Sequence, residues 1–216
     1  GHGIEPTFCG NPLVDDIAGR RSTLPTREAY LAECGLDSRP IVALLAGSRV
    51  SEIKANLPDM VALSRKFTDY QFVVTAVPWI DKDIYDAIIA DSDVKYACDR
   101  TQQTLAMSEA AIVTSGTATL ETALMGIPEV VLYHVPWLYE KLKPYFLRIP
   151  YISLVNINLN REAVKELVRA KLPIETSAKE LAAILPGGSD RERMLHDFEE
   201  LRTMIGEAGA SERLYI

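Results

Sequence analysis

The chain has 216 residues, 48% of them hydrophobic and 25% charged, which excludes the low-hydrophobicity, high-charge compositions that stay disordered and is enough to bury a large core. Thirty acidic against 23 basic side chains leave a net charge of −7, which disfavours a protein whose main task is to grip nucleic-acid phosphates. Cys9, Cys34 and Cys98 lie too far apart for a disulfide framework or a CxxC metal pair, which fits a reducing cytoplasm, and no apolar run reaches the roughly 18 residues that span a bilayer.

In chain order, Gly1-His2-Gly3 reads as a tag remnant, and residues 4–40 read as a linker with one lead-in helix, Arg27 to Cys34, and no core of their own. From Ile41 onward short apolar runs alternate with helix-patterned stretches, the mark of parallel strands joined by crossover helices. Strands are expected at Ile41 to Ala46, Gln71 to Val77, Val94 to Cys98, Ala110 to Thr114 and Glu129 to Tyr133. Each run is continuous rather than alternating, as when helices cover both faces of a sheet. Helices are expected at about 50–68, 81–90, 101–108 and 116–125, with Pro58 kinking or restarting the first. After Tyr133 come an aromatic and basic segment, Trp137 to Arg148, a short apolar run at Tyr151 to Val155, and helical patterns near 160–170, 177–185 and 189–208. The reading is an α/β chain, with a Rossmann-like parallel sheet and helices on both faces over residues 41–188, then a C-terminal helix and tail over 189–216. Such a sheet binds ligands beyond the carboxyl ends of its strands, and here that crevice would have one open wall, so the chain is expected to be part of a longer one.

Two strand-to-helix turns carry the chemistry. In Leu45-Ala46-Gly47-Ser48-Arg49-Val50-Ser51-Glu52, Gly47 lets a ligand approach the backbone, the helix start attracts an anion, and Arg49 can add a forked bond to phosphate. The plain alternative is a turn at Gly47, a helix cap at Ser48 and a solvated Arg49; the segment is neither a Walker A loop nor GxGxxG. In Thr114-Ser115-Gly116-Thr117-Ala118-Thr119-Leu120-Glu121, Ser115 and Thr117 offer hydroxyls and backbone donors. Glu121 stands four residues beyond Thr117, where it can accept bonds from sugar hydroxyls, and a capping box does not explain it because position 118 is alanine. Two such turns on one sheet suit a nucleoside diphosphate.

Other constellations are poorer. His2, His134 and His196 are scattered and suggest neither zinc nor a catalytic triad. Asp81-Lys82-Asp83 and Asp91-Ser92-Asp93 have a spacing that some sugar transferases use for a divalent ion, but both fall at helix edges where acids act as caps, so no metal is expected. The stretch from Tyr133 to Arg148 carries one acid against three bases among many aromatic rings. It fits either a membrane interface or a core with a wet edge.

With these motifs in place, the sequence resembles the carboxyl-terminal half of the lipid-A-disaccharide synthases, glycosyltransferases of the two-Rossmann-domain GT-B type. The landmarks are Gly10-Asn11-Pro12-Leu13-Val14-Asp15, the Gly47-Ser48-Arg49 and Ser115-Gly116-Thr117 turns with Glu52 and Glu121, and Ser153-Leu154-Val155-Asn156 followed by Arg161-Glu162-Ala163-Val164-Lys165-Glu166-Leu167. The resemblance implies transfer of 2,3-diacylglucosamine from its UDP derivative to 2,3-diacylglucosamine 1-phosphate (lipid X), releasing UDP, with no cofactor and no metal. It implies that Gly47, Ser48 and Arg49 contact the pyrophosphate, Arg49 stabilising the leaving group, and that Ser115, Gly116 and Thr117 approach from the second strand end. Glu121 would bind the ribose, Asn156 would line the donor site, and the general base would come from a preceding amino-terminal domain. It further implies a cytoplasmic enzyme peripheral at the inner membrane, with lipid contact through 137–148 and exchange of C-terminal segments in a homodimer. Ala46, Asn11, Val155 and Asn160 depart from the family pattern, which commonly has proline, histidine, proline and glycine there. Related readings with the same fold are a UDP-N-acetylglucosamine 2-epimerase, an undecaprenyl-linked N-acetylglucosamine transferase, and a non-enzymatic nucleotide-binding module.

Overall fold

The computed structural model describes residues 12–114, 116–134, 151–169 and 173–206. Helices α1 (Pro12–Arg21) and α2 (Arg27–Cys34) lead into β1 (Ile41–Leu45), α3 (Val50–Ser64), β2 (Gln71–Ala76), α4 (Lys82–Ile89), β3 (Lys95–Cys98), α5 (Thr101–Ala106), β4 (Ser108–Val113), α6 (Thr117–Leu124) and β5 (Glu129–His134). After residue 150 follow α7 (Leu154–Leu159), β6 (Lys165–Arg169), α8 (Ile174–Ile184) and α9 (Arg191–Ile205). The strands form one sheet in the order β3-β2-β1-β4-β5-β6 with every neighbouring pair parallel. The apolar runs of β1 and β2 are buried along their whole length because helices cover both faces. Val42, Leu44 and Ala46 pack with Ile53 and Leu57 of α3, whereas Ala43 and Leu45 pack with Leu105 of α5, Ala118 of α6 and Met125 just after it.

β1 leads through α3 to β2 on one side, and α5 brings the chain back to β4 on the other. The carboxyl ends of β1 and β4 therefore flank the point where the strand order reverses, the usual ligand crevice of an open α/β sheet.

Several expectations change. Residues 12–21 form α1 rather than linker, and α2 buries Tyr30 against Ile41, Val73 and Ala97, so the lead-in shares the core of the sheet. Pro58 lies inside one uninterrupted α3. It sits on the exposed side of the helix, as does Lys54, whose carbonyl the missing N–H would have bonded, so water can satisfy that carbonyl. The pattern near 160–170 is not helical but forms edge strand β6, paired with β5 from Val130↔Lys165 to His134↔Arg169. Asn160, where a glycine is common, adopts φ 51° at the end of α7, a left-handed position that asparagine tolerates. The last helix packs on its own chain: Met194, Phe198 and Leu201 are buried, and Arg202 Nε donates to Leu124 O of α6 at 2.9 Å. Residues 1–3, the landmark around Gly10 and Asn11, Ser115, the aromatic segment 137–148 and the tail after 206 lie outside the described residues.

Candidate functional site

The turn after β1 depends on Gly47, which has φ 111°; a Cβ there would also meet Glu52 Cβ and Oε2 at 2.6 Å. The N-cap of α3 is Arg49, not Ser48, and its side chain makes no capping bond. Glu52 does that work: its Oε2 accepts the Ser48 N–H at 3.0 Å and its Oε1 pairs with Arg49 Nη1 at 3.0 Å. Arg49 is nonetheless 78% exposed against 20% for Glu52, so the guanidinium is free to turn toward a ligand while the carboxylate stays seated. On the other side of the turn, Trp79 Nε1–H donates to Ser48 O at 3.1 Å.

Across the crevice, β4 is followed by Thr114, whose N–H donates to Leu45 O at 2.8 Å, stitching the two turns together. The Thr114 side chain is buried, and its hydroxyl has no hydrogen-bond partner among the described residues. An orphaned hydroxyl is costly inside a protein unless something supplies its bond. Gly116, with φ 141°, caps α6, so the backbone donors at Thr117 face the crevice from the second side. Glu121, one turn into α6, accepts from Gln102 Nε2 at 2.9 Å.

One cavity of about 400 Å³ is lined by Gly47, Ser48, Arg49, Thr114, Gly116, Thr117 and Glu121. The two turns singled out in the sequence thus open on a single space, whose lining includes the Arg49 guanidinium and the Glu121 carboxylate. A second cavity of about 420 Å³ shares Thr101 and Glu121 with the first and continues past Gln102 to Asp16 and Arg20 of α1.

Asn156 does not line this space. It is fully buried, its Nδ2 donates to Val164 O and Glu166 Oε1, both at 2.8 Å, and its Oδ1 accepts from the backbone N–H groups of Ala163 and Val164 at 2.8 and 2.9 Å. The amide is fully occupied in shaping the chain before β6. Asp81 caps α4, accepting from Asp83 N–H at 3.1 Å. Glu52 and Thr114 stand inside the two sequence motifs without an expected role, and Gln102 lies outside both. Glu52 alone had a usable signal, its place four residues after Ser48 at a helix start.

The family model described as lipid-A-disaccharide synthetase matches residues 2–213. The lipid-A-disaccharide synthase of Anaeromyxobacter dehalogenans (strain 2CP-1) is 33% identical over 222 residues, covering 99% of this chain but 57% of that protein. The chain thus spans little more than half the length of such relatives. Among solved structures, the UDP-GlcNAc 2-epimerase from Neisseria meningitidis superposes with a TM-score of 0.61 at 14% identity, over 96% of this chain and 52% of the epimerase. The calicheamicin glycosyltransferase gives 0.54 at 16% identity, over 82% of this chain and 43% of its own. At those identities the likeness is one of fold, and it matches the Rossmann-like sheet described above. The family match across nearly the whole chain is decisive: the chain belongs to the lipid-A-disaccharide synthase family.

Proposed function

We propose that this chain is the nucleotide-sugar-binding half of a lipid-A-disaccharide synthase, transferring 2,3-diacylglucosamine from UDP-2,3-diacylglucosamine to lipid X with release of UDP. The observation that carries this reading is the single cavity shared by Arg49 and Glu121, set over the reversal point of the sheet with an orphaned hydroxyl at Thr114. The diphosphate lies between the Gly47-Ser48 turn and the Gly116-Thr117 turn, Ser115 adding to the second. Glu121 accepts bonds from the ribose hydroxyls, and the nucleoside extends into the adjoining cavity beside Gln102. The Neisseria epimerase of similar fold was solved with UDP-GlcNAc bound, which supports a UDP-sugar in this kind of crevice.

As the glycosidic bond breaks, UDP gains negative charge. In this reading Arg49 and the backbone donors of both turns bond the diphosphate and stabilise the leaving group. Hydrogen bonds to charged groups contribute about 1.5–3 kcal/mol each. The general base and acceptor site belong to a preceding domain, so the chain alone binds UDP weakly and does not turn over. The aromatic and basic composition of 137–148 supports a peripheral contact with the cytoplasmic face of the inner membrane.

Calorimetric titration with UDP tests the site. Arg49→Ala should weaken binding about 10- to 100-fold, the equivalent of one charge-assisted bond, and Glu121→Ala should weaken it as well. Unchanged affinity in both variants would contradict the assignment. A UDP-N-acetylglucosamine 2-epimerase of the same fold would instead retain simple UDP-N-acetylglucosamine and reject the diacylated donor.

A further inference from the structure

Among the described residues only four large hydrophobic side chains are exposed, and two of them, Val50 and Trp79, flank the same Ser48-Arg49 turn. Trp79 is 70% exposed, so it contributes little to the core. It is nevertheless held firmly. The Ile80 N–H closes a turn onto Val77 O at 3.3 Å, Ile80 itself is buried, Asp81 caps the following helix, and the indole N–H is pinned to Ser48 O. A large aromatic ring fixed in orientation but left in water is poised for an apolar surface that is not part of this fold.

Its position says which surface. Along the sheet, Glu121 stands on the β4 side of β1 and Trp79 on the β2 side, with the Gly47-Ser48 turn between them. A diphosphate seated on that turn with its ribose at Glu121 sends its other substituent away from Glu121, toward the indole. We propose that Trp79, with the exposed Val50 following the same turn, forms the subsite for the transferred acylated sugar. The indole face lies against the C–H face of the pyranose and the first methylenes of its acyl chains. This inference rests on the nucleotide-sugar reading of the crevice.

The test compares two ligands, UDP and UDP-2,3-diacylglucosamine, by titration against the wild-type chain, Trp79→Ala and Trp79→Phe. Loss of the ring should weaken the acylated UDP-sugar about tenfold, from lost stacking and burial, while UDP stays within about twofold of wild type. The phenylalanine variant keeps an apolar ring without the N–H and should recover most of the affinity. In a Trp137→Phe background, Trp79 fluorescence should shift with the UDP-sugar and not with UDP. Equal loss for both ligands in Trp79→Ala would mean that the residue merely holds the Ser48 turn, and no loss for either would remove it from the site; each result overturns this inference alone. Failure of the wild-type chain to bind either ligand would overturn the nucleotide-sugar reading itself.

Discussion

The crevice over β1 and β4 and the cluster around Asn156 are built from the same kinds of polar groups, arranged to opposite ends. Around Asn156 every bond closes internally. Ser153 Oγ donates to Glu166 Oε1 at 2.8 Å and accepts the Asn156 N–H at 3.2 Å, Glu166 also takes the N–H groups of Ile152 and Ser153, and the Asn156 amide makes four bonds of its own. In the crevice the arrangement stays open: Arg49 is mostly exposed, and the Thr114 hydroxyl is orphaned among the described residues. Around Asn156 the satisfied groups shape the chain; in the crevice a buried hydroxyl that lines the cavity has a bond left for a ligand.

That contrast can be broken by substitution. Asn156→Ala should show the largest effect, because it strips partners from two buried backbone N–H groups and from a carbonyl. The loss should be about 3 kcal/mol or more, and at about 2–4 °C per kcal/mol for a chain of this size the melting temperature should fall by about 10 °C. Urea unfolding checks it, and UDP affinity of the remaining folded protein should be unchanged. A fully stable variant with impaired UDP binding would instead return Asn156 to the donor site.

Glu129 sharpens the comparison from the structural side. It begins β5, is fully buried, and neither carboxyl oxygen has a partner among the described residues, so burial holds its pKa well above the ordinary carboxylate range. The unfolded group ionises at the ordinary value while the folded one stays protonated. Stability is therefore highest below the ordinary carboxylate range and falls as pH rises toward the raised folded pKa. Glu129→Gln removes the titration, so the stability difference between variant and wild type should move in the variant's favour as pH rises from 5 toward neutral. A difference that does not move with pH, in paired urea melts, would contradict this. The smallest expected effect is at Thr114: valine in its place should change stability by less than about 1 kcal/mol yet weaken UDP severalfold, because the hydroxyl has a bond to offer the ligand and none to lose in the fold.

The first five strands were legible because each is an unbroken apolar run ended by a turn, and the two candidate turns stood out because a glycine and hydroxyls follow a buried strand. β6 was not legible. Lys165-Glu166-Leu167-Val168-Arg169 mixes charges and aliphatics in a way that suits an edge strand or a helix equally, and pairing with β5 together with the Asn156 bonds decides it. The internal bonds of Asn156 were not legible because a motif gives a residue's identity and not the direction of its side chain. Thr114 read as the last letter of a strand, and its orphaned hydroxyl is visible only once Leu45 and the α6 turn surround it. Trp79 drew no notice because a Pro-Trp pair in a loop has no signature until its indole is found bonded to Ser48.

A crystal structure of the chain with UDP tests the central claim most directly. The diphosphate should lie between Gly47-Ser48 and Gly116-Thr117, with Arg49 turned onto it, the Thr114 hydroxyl bonded, and the ribose at Glu121. UDP bound elsewhere, or a diphosphate contacting one turn with the ribose away from Glu121, would contradict it.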